Sequence, residues 1–65
     1  MDTNIWSDEG TEGFYRGCTL NIAPTTNGEW RVTTENYQTM QWIKEYAQTL
    51  REAQNLAIEL TYKLQ

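Results

Sequence analysis

The chain reads as a small α+β domain: an antiparallel β-hairpin packed on one long C-terminal α-helix, with a third short strand available from an N-terminal arm. Three observations predict this. Apolar and polar residues alternate over residues 14–22 and again over 29–34, the pattern of half-buried strands. Between the two runs, Ala23-Pro24-Thr25-Thr26-Asn27-Gly28 joins a proline that ends a ladder to an Asn-Gly pair suited to positive backbone dihedrals, so a hairpin loop is expected. Beyond Asn36 the period changes, and Ile43, Tyr46, Leu50, Ala53, Ala57, Leu60 and Leu64 recur at steps of three and four, one stripe of a helix.

Taken in order, residues 1–13 carry Gly10, Gly13, small polar residues and only Ile5 and Trp6 as large apolar groups. They read as an extended arm. In the first strand Phe14, Cys18, Leu20 and Ile22 share a face, with Tyr15, Thr19 and Asn21 on the other. In the second, Trp30 and Val32 face the same way as Leu20 and Ile22. Asn36 or Thr39 is the candidate N-cap of a helix reaching the C-terminus over residues 37–65, since either side chain accepts from free backbone amides. Such a helix, about 26 residues when counted from a Thr39 cap, is roughly 39 Å long at 1.5 Å per residue. Strands of six to nine residues span only about 20–30 Å. The C-terminal half of the stripe therefore needs another cover, and a homodimer through Leu50, Ala53, Ala57, Leu60 and Leu64 is the expected one.

With 65 residues there is room for one domain, marginal in stability at that size. Cys18 is the sole cysteine and histidine is absent, so neither a disulfide within the chain nor a zinc site is expected. No segment has the roughly 20 apolar residues of a membrane span, and the N-terminus lacks the basic flank and apolar centre of a signal peptide. A complete, cytoplasmic gene product is the expectation. The net charge of −4 lies entirely in residues 1–13, which hold Asp2, Asp8, Glu9 and Glu12 and no basic residue. A neutral body with an acidic arm is poorly suited to neutralising phosphates, so nucleic acid is not the expected partner.

The chemistry of catalysis is missing. Cys18 and Ser7 have no histidine to act as base. Glu45, Glu52 and Glu59 are spaced by seven, which places them on one water-facing side of the expected helix. Asp8, Glu9 and Glu12 lack the order of a calcium loop, and the glycines form no phosphate cradle. No enzymatic activity and no cofactor are expected.

Eight aromatics in 65 residues need an explanation. Trp30, Phe14 and Tyr46 are expected in the core and Trp42 beside the stripe, which leaves Trp6, Tyr15, Tyr37 and Tyr62 without a buried place. Exposed aromatics are typical of interfaces. Ile58 and Tyr62 stand one helical turn apart and, with Met40 and the Arg51 stem, suggest a second apolar strip. The candidate partner-binding residues are thus Trp6, Asp8, Glu9, Glu12, Tyr15, Ile58 and Tyr62. A sheet followed by one helix resembles, in topology, the small DNA-reading domains of some integrases and plant transcription factors. Here, however, the outward residues Tyr15, Thr19, Asn21, Glu29, Arg31 and Thr33 sum to no net charge.

The sequence therefore predicts a small protein-binding regulator or inhibitor. Virus- and mobile-element-encoded blockers of nucleic-acid-handling defence enzymes are the nearest analogy. The alternatives are a nucleic-acid-binding regulator using the hairpin face, and an assembly subunit docking through its helix.

Overall fold

The structure, a computed structural model, describes residues 5–65; Asp2 of the acidic arm lies outside the described residues. Four strands precede one helix: β1 Glu12–Tyr15, β2 Cys18–Pro24, β3 Trp30–Asn36, β4 Trp42–Ala47 and α1 Leu50–Lys63. Every strand pairs antiparallel with its sequence neighbour, in the order β1-β2-β3-β4. The α+β class is as expected, but the hairpin is half of a four-stranded meander.

Two segments depart from the sequence reading. Residues 14–22 are not one strand. Arg16 and Gly17 take positive φ of 54° and 79°, a two-residue turn whose twist matches the flanking strands. The turn reverses the chain, so Tyr15 joins the face of Cys18 while Phe14 falls opposite Thr19 on the other face. The second departure is larger. The helix expected from residue 37 begins at Leu50, and residues 42–47 form β4. Asn36 does accept backbone amides, from Gln38 (2.9 Å) and Thr39 (3.0 Å), but this holds a turn closed by Met40 at φ 67°. The helix cap is Thr49, whose Oγ1 accepts from the Glu52 amide at 3.1 Å. Glu52 Oε1 in turn accepts from the Gln48 amide at 3.3 Å.

Shortening the helix removes the geometric problem that called for a dimer. Its 14 residues span about 21 Å, close to the roughly 23 Å of a seven-residue strand. Ala53, Ala57, Leu60 and Leu64 are buried against Cys18, Leu20, Ile22 and Val32 of the same chain, and Leu50 packs beside them. Four of the five residues assigned to a dimer interface, Ala53, Ala57, Leu60 and Leu64, are therefore core residues of one protomer, and Leu50 is partly buried against them. The two alanines bring the helix close enough to the sheet for Thr34 Oγ1 to donate to the Ala57 carbonyl at 3.2 Å. Asn36 Nδ2 ties the other end, donating to the Leu64 carbonyl at 2.9 Å. Among the described residues no helix is long and apolar enough to cross a membrane.

The arm is part of the fold from Ile5 onward. Ile5 and Trp6 pack against the core, and Trp6 forms a bridge with Gly13. Gly13 is required by close approach, because a Cβ there would run into the Ile5 carbonyl oxygen. Gln54 Nε2 of the helix donates to the Gly10 carbonyl at 2.9 Å and holds the arm down.

Candidate binding face

The helix covers one face of the sheet and leaves the other open. Strand register places Glu12 and Phe14 of β1, Thr19, Asn21 and Ala23 of β2, Arg31, Thr33 and Glu35 of β3, and Trp42, Lys44 and Tyr46 of β4 on the open side. In one cross-strand row Phe14, Thr19, Glu35 and Trp42 lie side by side. The outer aromatics of that row stand about 14 Å apart, three strand spacings. Phe14 is 53 % exposed, Trp42 58 % and Tyr46 50 %. On this face a concavity of about 440 Å³ is lined by Glu12, Gly13, Thr19, Leu20, Asn21, Thr33 and Glu35.

Phe14 and Tyr46 were expected in the core, and both lie outside it. The cause is parity: the turn at Arg16-Gly17 shifts Phe14 to the far face, and Tyr46 alternates with Ala47 along a strand. Glu45 likewise lies on β4, so it shares no helical face with Glu52 and Glu59.

The residues singled out from sequence separate into three groups. Glu12 reaches the open face. Asp8 and Glu9 are exposed in the turn of the arm, whereas Trp6 is half-buried against its own core. Tyr15 and Tyr62 meet on the helix side, with ring centroids 6.5 Å apart in an edge-on pair and hydroxyls at 3.4 Å. That hydrogen bond, reinforced by the neighbouring Tyr62 charge, raises the Tyr15 hydroxyl above its ordinary pKa. The Arg16 guanidinium lies over the Tyr62 ring at 4.5 Å, a cation–π contact. Ile58 is half-buried one turn before Tyr62, but Met40 belongs to the β3–β4 turn and cannot extend a helical strip. Cys18 is fully buried, and burial pushes its thiol pKa up, the environment of a small hydrophobe.

The two sheet edges differ. Beside β1 the arm takes up the outward groups of Glu12: its carbonyl accepts from the Ser7 amide at 2.7 Å, and its amide donates to Ser7 Oγ at 3.2 Å. At β4, the Asn36 amide bonds the Gln41 carbonyl at 2.8 Å, which fixes the alternation along the ladder. Ile43, Glu45 and Ala47 exchange bonds with β3, while Trp42, Lys44 and Tyr46 turn their N–H and C=O groups outward.

Comparison with known protein families, characterised proteins and solved structures gives no match.

Proposed function

We propose that the protein is a small, non-enzymatic, cytoplasmic regulator or inhibitor that binds a protein partner through the open face of its sheet. The observation that carries this reading is the placement of Phe14, Trp42 and Tyr46, each half or more exposed, on the one sheet face that the chain's own helix leaves uncovered. Large aromatics supply much contact area at low entropic cost and dominate interface energetics. The face mixes Glu12 and Glu35 with Arg31 and Lys44, so it suits a partner of mixed charge. The whole chain's −4 steers it toward basic surfaces, such as those of enzymes that handle nucleic acid. The test is affinity capture from source cells with the wild type and with Phe14→Thr/Tyr46→Thr. A partner retained by the first and lost by the second, at equal melting temperature, supports the reading. A partner retained equally by both overturns it.

A second reading draws on the same aromatics, because bases of single-stranded nucleic acid stack on exposed rings beside cations. Glu12 and Glu35 at the concavity oppose it, since phosphates would meet carboxylates there. Binding of a fluorescent oligothymidine at low salt, abolished by Phe14→Thr, would favour this reading over a protein partner.

A further inference from the structure

We propose that β4 receives an extended segment of the partner protein as a fifth, antiparallel strand, with an acidic residue opposite Lys44 and apolar residues opposite Trp42 and Tyr46. The inference rests on the protein-binding reading above and names the partner's chemistry.

An edge strand is a template for another strand unless it is short, bulged, proline-bearing or covered, and a charge on it, Lys above all, selects against strands that do not complement that charge. Beside β1 the chain's own arm supplies that cover, through Ser7 and the Trp6–Gly13 bridge. β4 is six residues long without bulge or proline, and no described segment pairs with its outer side. Its outward backbone groups belong to Trp42, Lys44 and Tyr46, whose side chains stand on the open face, exposed. An added strand thus gains main-chain bonds and side-chain contacts from the same three residues. This is strand addition, in which the backbone gives affinity and alternate side chains give specificity.

Charge selects the occupant. Lys44 is the only charge that β4 presents on that face, and it sits midway between the two aromatics. A second copy paired over the whole strand would set Lys44 against its own counterpart. Sliding by one register step sets Glu45 against Glu45, and sliding the other way gives up one of the three outward pairs. Directly opposed like charges destabilise a strand pair, whereas opposite charges stabilise it. A strand from another protein with a carboxylate at the central position meets all three outward pairs without that conflict.

The test titrates the ¹⁵N-labelled full chain with the blocked peptide Ac-Thr-Val-Thr-Glu-Val-Val-Thr-NH₂ and with the same peptide carrying Lys in place of Glu. The expected result is amide shifts concentrated at Trp42, Lys44 and Tyr46, with the Glu peptide bound a few-fold more tightly. Lys44→Glu, an exposed change, should reverse the preference. Absence of shifts at millimolar peptide overturns the proposal, as does equal affinity for both peptides. Concentration-dependent shifts of the same amides in the protein alone would assign the edge to a second copy instead. Phe14 lies on β1, with β2 and β3 between it and β4. Loss of the cellular partner with Phe14→Thr, together with a silent peptide titration, would keep the open-face reading and remove only the fifth strand.

Discussion

Beneath the helix the sheet presents Cys18, Leu20, Ile22, Val32 and Thr34, each essentially buried; across the same strands the other face presents Phe14, Trp42 and Tyr46, each half or more exposed. The small aliphatics fill the space between helix and sheet at close range, where two alanines let the helix sit low. The large rings, which would bury most area if they were inside, stand outside. The difference separates two tasks. The closed face holds the fold together, and the open face is free to vary in composition without disturbing it. Substitutions on one face should therefore move stability, and, on the function proposed, those on the other should move binding.

The strongest break is expected at Leu60, 1 % exposed at the centre of the closed face. Leu60→Ala removes a buried side chain and leaves a cavity, at a cost of about 2–5 kcal/mol. In a domain of 65 residues that is most of the total stability. Urea denaturation should place the variant's midpoint near zero denaturant, and a midpoint within experimental error of wild type would show that the helix does not seal this face.

Gly13→Ala tests the arm that closes one edge. The added methyl meets the Ile5 carbonyl, so the segment bearing Trp6 must shift. A cost of about 1–3 kcal/mol is expected, as for overpacked sites. Removal of residues 1–9 should give a drop of similar size, and the two changes should not add, because both act through the same contact. Additive losses would mean that Gly13 is tight for some other reason.

Thr49→Ala removes the acceptor for the Glu52 amide and should cost about 1 kcal/mol. It also probes the boundary between β4 and α1, where the sequence pattern misleads. The stripe through Ile43, Tyr46 and Leu50 fits a helical period, and residues 42–47 lack the apolar–polar alternation of a half-buried strand, because each face of β4 carries a charge, Lys44 or Glu45, between two apolar residues. Two local signals would have decided it: the Thr49-x-x-Glu52 pattern of a helix start, and the β-forming Trp, Ile and Tyr of β4. The turn before β4 gave no warning, because it uses Asn36 and a left-handed Met40 where a glycine would have been readable. By contrast, the β2–β3 hairpin, the facing of Trp30 with Leu20 and Ile22, and the C-terminal helical stripe were legible, since each rests on a pattern several residues long. The open face was not legible, because it depends on the parity of four strands and a single misplaced turn moves Phe14 across the sheet.

Cys18 connects the closed face to pH. Burial raises the pKa of its thiol, so the unfolded chain loses this proton at a lower pH than the folded one. The stabilising contribution is fully present below the unfolded-state value of about 8.5 and declines as pH rises through it toward the folded-state value. Melting temperature should fall over that alkaline range in the wild type, and fall less in Cys18→Ala. Identical pH profiles for the two proteins would place the alkaline sensitivity elsewhere.

The smallest effect on stability is expected on the open face, and it is the one that bears most on function. Phe14→Thr and Tyr46→Thr place β-branched, strand-favouring residues in the strands, preserve the ladders and remove rings already half or more in water. Surface changes of this kind usually alter stability by less than about 0.5 kcal/mol. The denaturation midpoint and the resistance of Cys18 to alkylation should stay at wild-type values. Partner affinity should fall sharply, because exposed aromatics are enriched among the residues whose truncation costs most in interfaces. The opposite pattern, a lowered midpoint with affinity intact, would mean that the rings shield the strand backbone and that the partner meets the molecule on the helix side, where Arg16, Tyr15 and Tyr62 gather.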